Sequence, residues 1–496
     1  LAVGASLFVL TRRLYPRLVH GRVSGAPSAS ETTFVALFAA AVWLLHPIQA
    51  STALYAVQRM TVLMTLFLVW GLLLYWEGRE QMLRGRRRGA LWAFAGLIVA
   101  GGLAVLSKPN GALIAVYILV LEATALRFRV HPRFPRWLAR TVFAVPVTMT
   151  VAVFARLALA AFHASQGTGS DVEFTHDFSL GERLLTEARI VWFYLREIFL
   201  PFSTDMGIYW AQPNLSTGLW QPPITLAAVL GLVAAVLVAI RGVQRGGVAV
   251  LPFLVLWFLT GHLIESTVVP LELIFEHRNY LALYGPALAL AALTGTARGW
   301  IGPVFAGVVL AGVAVLLAQR VAIWSDADRF YRHQAETHPR AYRIWRAYAQ
   351  YLEGQDKPGA AIAAYQMGQA FFPKEPGYPL GQWYLRWQMG RPVPDAVRKE
   401  AIGRLRQERL TKAAAYQLYR LVCETDRPAA VGALLTAAQQ APRSTETLRG
   451  FVQALAAKQW ERRGEAERAG TLWQDLPPER RRQFRKELRT CGERTD

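Results

Sequence analysis

The sequence is short of cysteine and of acid. Cys423 and Cys491 are the two cysteines in 496 residues, too few for a disulfide framework. Cys423, in "YQLYRLVCETD", reads as a helix core residue, with a Cys423–Cys491 bridge as the lesser alternative. Asp and Glu number 34 against 55 Lys and Arg, a formal net charge of +21. No metal-ligand spacing, nucleotide-binding loop or nucleophile elbow occurs, so the common soluble-enzyme readings have no support. Long apolar runs are missing too, but only after about residue 325. The chain opens with Leu, and "LAVGASLFVL" lacks a basic leader and a small-residue cleavage pattern. It is therefore expected to begin inside a transmembrane helix rather than with a signal peptide, with an upstream loop preceding Leu1.

What is present is mostly apolar: 53% hydrophobic residues, 16 Trp and a mean hydropathy of +0.23. About ten runs are near membrane-spanning length, where roughly 20 residues suffice. They lie near 1–11, 32–46, 60–76, 90–107, 111–126, 139–161, 222–240, 248–264, 279–297 and 301–319. The expected fold is all-α: a polytopic bundle over 1–324, with a long loop at 162–221, then a soluble helical tail over 325–496.

The positive charge is not spread as a nucleic-acid surface. Arginines concentrate in "TRRLYPRLVHGR" (11–22), "GREQMLRGRRRG" (78–89) and "RFRVHPRFPRWLAR" (127–140), with Arg241, Arg245 and Arg298 in smaller doses. They fall in every second loop, which is the positive-inside pattern. The alternate loops, and the tail with them, are then extracytoplasmic, which places the tail in a periplasm and the bundle in a bacterial inner membrane.

Those alternate loops hold the unusual polar residues. "PLELIFEHRNYLALYG" (270–285) carries Glu272, Glu276, His277 and Arg278 before an apolar run; in a helix, 272 and 276 stand one turn apart. "TGHLIESTVVP" adds His262, Glu265 and Ser266, "HPIQASTALYAVQRM" adds His46, Gln58 and Arg59, and "SKPNG" adds Lys108. Ionisable groups at a membrane boundary favour pairing or a cavity. Arg and Lys suit a lipid phosphate, and a nearby carboxylate can deprotonate a hydroxyl. Helix-end anchoring or structural ion pairing is the bland reading for each residue alone. Residues 182–202, "ERLLTEARIVWFYLREIFLPF", alternate charge with Leu, Ile, Trp and Phe, which suits an interfacial helix, either packed over the bundle or acting as a lid.

In the tail, residues 339–373 place Trp345, Tyr348, Ala349 and Leu352 on one helical face and Ala361, Tyr365 and Gly368 on another, closed by Pro373. These offsets match the 34-residue tetratricopeptide pattern. A short, degenerate helical-repeat domain is expected, of the kind that presents concave surfaces to protein partners. "PPERRRQFRKELR" (477–489) reads as a solvated terminal helix.

With "HPIQASTALYAVQRMTVLMTLF", "SKPNGALIAVYILVLE" and "ESTVVPLELIFEHRNYLALYG" followed by such a tail, the chain resembles bacterial multi-spanning tetratricopeptide proteins. Those proteins are related to animal transmembrane O-mannosyltransferases in the GT-C glycosyltransferase superfamily. The resemblance implies a multi-helix membrane fold. It also implies sugar transfer from a polyprenyl-phosphate donor, a substrate rather than a bound cofactor, to an exported protein or glycan. It carries His46, Gln58, Arg59, Lys108, Glu276, His277, Arg278 and Tyr280 into the site. On this reading Arg278, Arg59 and Lys108 hold the donor phosphate, and Glu276, Glu272 and His277 serve the proton transfer. His46, Gln58, Glu265 and Tyr280 support them. The sequence departs from the family where Pro109 follows Lys108 instead of an acidic residue, and where Ala282 stands in place of Pro. The family's acidic residue of the first outer loop would precede Leu1. The alternatives are a ligase or polymerase using a polyprenyl-diphosphate donor, and a non-catalytic membrane scaffold acting through its tail. A transporter fits less well, because the charges gather at one face rather than at the midplane.

Overall fold

A computed structural model describes residues 1–22, 25–165, 178–202, 206–211, 213–269, 271–295, 297, 299–425, 428–442 and 444–492. Arg298 and parts of the expected loop 162–221, namely 166–177, 203–205 and 212, lie outside these residues. The described residues form helices and no strand. They divide into two units, the first holding Leu1–Ser170 and Phe174–Asp326, the second Ala327–Asp496.

In the first unit, six helical stretches are long and apolar enough to cross a membrane: Ala56–Leu83, Arg88–Ser107, Pro109–Leu126, Arg136–Phe162, Ile224–Arg245 and Ile301–Trp324. Ala29–Leu45 and Val250–His262 are apolar but shorter. The expected ten spans are thus not all long helices. Run 279–297 divides into α12 (Asn279–Ala282) and α13 (Tyr284–Gly295). Pro286 has no N–H to offer the carbonyl of Ala282, where the helix breaks. Run 1–11 belongs to α1 (Ala2–Leu18), which carries Arg12, Arg13 and Arg17 and contains Pro16. The apolar windows of Arg136–Phe162, Ile224–Arg245 and Ile301–Trp324 are only 11%, 17% and 17% buried. Their outward Val151, Phe154, Leu237 and Val308 make a surface suited to lipid rather than water.

The first and second spans of this set pack through glycine. In α4 (Arg59–Leu83), Gly71 and Gly78 face Gly96 and Gly89 of Arg88–Ser107. A Cβ on Gly96 would stand 2.4 Å from the Gly71 carbonyl oxygen, and one on Gly89 would stand 2.4 Å from that of Gly78. No side chain fits either contact, so the two backbones touch.

The Arg-rich segments converge at one end of this unit. Arg13 pairs with Glu77 at 3.3 Å and Arg17 with Glu80 at 2.9 Å. Arg79 donates to the carbonyl of Arg129 at 2.7 Å, and Arg127 to that of Gly247 at 2.9 Å. Thr61, at the other end of α4, lies about 27 Å from Arg79 at the rise of an α-helix. It belongs to the cluster described below, so the two classes of loop occupy opposite ends of the same helices.

The second unit contains ten helices among its described residues, from Ala327–Thr337 to Pro478–Glu487. Ile344–Gly354 and Pro358–Phe371 pack as a hairpin with Trp345 stacked on Phe371 at 5.9 Å. Gly368 faces the ring of Tyr378, and Gly381 faces that of Tyr365. Cys423, at the end of Lys412–Cys423, is disulfide-bonded to Cys491 across 68 residues of chain. This corrects the expectation of an unpaired core cysteine. Both cysteines are buried, but folding brings Cys491 beside that helix, which the local apolar pattern around Cys423 could not reveal.

Candidate functional site

Lys108 is placed by the proline that follows it. A residue before Pro is pushed out of the α region, and Lys108 is extended at φ −159°, ψ 139° between Gly101–Ser107 and the turn starting at Pro109. Its side chain, 8% exposed, turns inward. Nζ pairs with Glu265 Oε1 at 2.6 Å and donates to Thr61 Oγ1 at 3.3 Å. Thr61 in turn donates to Gln58 Oε1 at 2.8 Å.

Glu265 follows α11 (Val250–His262) and is the centre of the cluster. Its Oε2 lies 3.6 Å from His277 Nε2 and 3.6 Å from Arg278 Nε, contacts too long to be hydrogen bonds. Burial opposes ionisation of Glu265, yet Lys108, His277 and Arg278 together hold its pKa below the ordinary carboxylate value. His277 is neutral at pH 7. Burial drives its pKa down to about 3, and Lys108 and Arg278 add to that against the pull of Glu265.

Arg278 is buried and already engaged. It donates to the carbonyls of Leu273, at 2.7 Å, and Glu272, and pairs with Glu187 at 3.3 Å. Glu187 comes from α9 (Leu180–Phe199), whose start is fixed by a Ser179–Glu182 capping box. Arg183 of the same helix pairs with Glu187 at 3.1 Å and donates to the Thr267 carbonyl at 2.7 Å. Burial raises the pKa of Glu187 to about 7 despite its two arginines. Residues 180–199 of this segment form a helix packed on the bundle. Arg183, Glu187 and Glu197 point inward, while Leu184, Trp192 and Phe199 face out.

A narrow cleft with room for about one or two water molecules, partly open to the surroundings, lies against this cluster. Lys108, His277 and Arg278 are the ionisable groups of its wall other than tyrosine, and no carboxylate lines it. Thr61, Thr65, Asn110, Tyr117 and Tyr280 add polar groups, and Met64, Leu68, Leu113 and Leu281 add an apolar side. The Thr65 hydroxyl and the Tyr117 phenol are buried without a hydrogen-bond partner among the described residues.

Lys108, His277, Arg278 and Tyr280 are thus the sequence-derived candidates that reach the cavity, with Glu265 and Gln58 directly behind. The others lie elsewhere. Arg59 is exposed and does not line the wall, because Gln58 and Thr61, not Arg59, are on the inward face of α4. Glu276 is buried in an ion pair with Arg320 of α14 (Ile301–Trp324). Glu272 is half-buried, and its carbonyl, not its carboxylate, is what meets Arg278. His46 ties two helix ends, its Nε2 against the carbonyl of Ile198 at 2.9 Å while Nδ1 accepts from Ile48 N at 3.2 Å. Burial lowers its pKa to about 4. His262 stacks on Tyr194, and its Nδ1 is 3.4 Å from Ser266 Oγ. Thr61, Thr65, Asn110, Tyr117 and Arg320 escaped the sequence reading. Asn110, Thr61, Thr65 and Tyr117 stood inside the quoted motifs without being singled out; Arg320 is a single charge within an apolar run, and that isolation is the only signal it offered.

Among the described residues no group of His, Cys, Asp or Glu is arranged to hold a metal ion. Comparisons of the chain with protein-family models, with curated proteins and with solved structures find no match.

Proposed function

We propose that the chain is a GT-C-type membrane glycosyltransferase. On this reading it moves a sugar from a polyprenyl-phosphate donor to an exported protein, such as a pilin, or to a glycan outside the cytoplasm. The observation that carries the reading is the cavity wall: Lys108, His277 and Arg278 face the space, every carboxylate stays behind them, and an apolar flank completes it. Such a wall suits a phosphate attached to a hydrocarbon chain.

In the reaction the acceptor hydroxyl attacks the anomeric carbon, the bond from that carbon to the phosphate oxygen breaks, and the phosphate leaves with the electron pair. Lys108, reaching from the helix break, stabilises the charge gathering on the leaving group. Arg278 contributes positive potential while holding the 272–278 loop in place. The hydroxyl proton passes to a carboxylate; Glu276, paired with Arg320, and Glu272 lie away from the wall, which leaves Glu265, directly behind Lys108 and His277, as the candidate. The tail is read as a tetratricopeptide-like domain that engages the acceptor. Its disulfide supports an oxidising location such as the periplasm, and hence a bacterial inner membrane for the bundle.

The test is intact-mass spectrometry of exported proteins from a deletion strain complemented with wild type, Lys108→Met or Glu265→Gln, at matched membrane abundance. A sugar-sized mass present with wild type and lost with Lys108→Met is the expected result. An unchanged mass in every strain rejects proteins as acceptors, and full modification by Lys108→Met rejects this cavity as the donor site.

A further inference from the structure

The positive-inside rule accounts for the arginines in the loops of the bundle but not for those of the tail. Residues 327–496 hold 30 of the 55 Lys and Arg and 19 of the 34 Asp and Glu, so the tail carries +11 of the chain's +21. We infer that this charge includes a membrane-docking face. The outward side of the helix Pro478–Glu487, with Arg489 just past its end, meets the anionic headgroups of the bilayer to which the tail is tethered.

This helix is divided sharply by side. Phe484 and Leu488, one turn apart, are both buried, and Phe484 meets the ring of Phe451 at 5.7 Å. Cys491, in the turn that follows, is buried as well and disulfide-bonded to Cys423. Arg482, Arg485, Lys486 and Arg489, spaced i, i+3, i+4 and i+7, take the opposite side, and all four are exposed. None of these side chains makes a hydrogen bond or an ion pair among the described residues, although Arg485 lies over the ring of Trp473 at 5.1 Å. The neighbouring arginines differ. Arg480 pairs with Glu446 at 3.7 Å, and Arg481 donates to the carbonyls of Gln474 at 2.8 Å and Leu476 at 3.1 Å. Like charges three and four apart on a helix repel each other. The buried side and its disulfide hold this stripe together regardless.

Three features select a bilayer surface as the partner. The stripe runs along the convex back of a helix, which meets a flat surface rather than filling a cleft. No exposed apolar side chain stands among its charges, so it suits phosphates at headgroup level and not the hydrocarbon beneath. Finally, the tail begins at Ala327, directly after a span that ends at Trp324. A membrane surface is therefore always within the reach of a short tether, at high effective concentration. This inference stands independently of the transferase reading, since it concerns binding alone.

The experiment uses the full chain in nanodiscs of phosphatidylcholine, with or without phosphatidylglycerol. A donor dye is attached through Gln483→Cys, the native cysteines being held in their disulfide, and an acceptor dye is carried by the lipid. Energy transfer is expected to be at least about twofold higher with phosphatidylglycerol and to fall as salt is raised. Replacing Arg482, Arg485, Lys486 and Arg489 together by Gln should return it to the phosphatidylcholine level at an unchanged melting temperature. Replacing Lys357, Lys374, Arg391 and Lys399, four exposed cations elsewhere on the tail, should leave the increase in place. Equal transfer in the two lipids overturns the inference and leaves the stripe to an acidic protein or glycan. An increase that survives loss of the stripe, or that is lost equally in the second variant, overturns it too.

Discussion

The two ends of the membrane unit each bury arginine against glutamate, but they treat the pair differently. At the Arg-rich end, Arg79 and Glu122 are both fully buried and fully partnered. Glu122 accepts from Arg79, from the Tyr75 hydroxyl at 2.8 Å and from the Phe128 amide at 3.0 Å. Arg79 also reaches the Arg129 carbonyl and lies over the ring of Phe143 at 4.7 Å. At the cavity end, Glu265 Oε2, Arg278 Nε and the Thr65 and Tyr117 hydroxyls have no hydrogen-bond partner among the described residues. A buried polar atom without a partner costs about 1–3 kcal/mol. A fold that satisfies one buried pair completely can do so for another. The unmet groups therefore mark the end that keeps hydrogen-bonding capacity in reserve, and the complete network marks the end built for stability.

That contrast can be broken from either side. The largest effect is expected from Glu122→Ala, which leaves Arg79 buried without a counter-ion and should cost about 3–5 kcal/mol; thermal unfolding in detergent measures it. At the cavity end, Lys108→Met should cut sugar transfer about 100-fold, or about 2.7 kcal/mol in transition-state terms, while lowering stability much less than Glu122→Ala does. Comparable stability losses at the two ends would dissolve the distinction.

Acid should also act at the cavity end. The folded pKa values of His46 and His277 lie near 4 and 3, below the ordinary value of about 6.5. As pH falls below about 6.5, the unfolded chain takes up protons that the folded one refuses. Each histidine then loses stability on acidification by up to about 1.4 kcal/mol per pH unit, opposed by Glu187, whose pKa, raised to about 7, makes the folded chain the one that takes up its proton. Denaturation midpoints between pH 7 and 4 would check the sign, and replacing His277 by Gln should make the slope shallower. The smallest effect belongs to the half-exposed Arg13–Glu77 pair, where Arg13→Ala should change stability by less than about 1 kcal/mol.

Much of this was readable from the chain. Alternation of Arg-rich and Arg-poor loops separated the two ends; the motifs around Lys108, Glu265, His277 and Arg278 converge, which their residue types alone did not show. Span count was less legible, because hydropathy cannot see the break before Pro286 that shortens 279–297. Arg183, Glu187 and Arg320 were obscure for a different reason. A charge within an apolar stretch reads equally well as solvated or as buried, and only partners more than forty residues away, such as Arg278 for Glu187 and Glu276 for Arg320, decide between them. Glu276 illustrates the converse: a conspicuous acid in a conspicuous motif, whose partner lies on the last span.

The glycine contacts between α4 and its neighbour act as a ruler. Seven residues separate Gly71 from Gly78, and seven separate Gly89 from Gly96, so the two contacts together permit one register. Carried along the same pair of helices to their far ends, that register brings Thr61 beside Lys108, whose Nζ donates to it at 3.3 Å. The height at which the lysine meets the cavity is thus decided in the middle of the bundle. A one-residue insertion between Leu68 and Gly71 would misalign the lysine with its threonine without altering a single residue that touches the cavity.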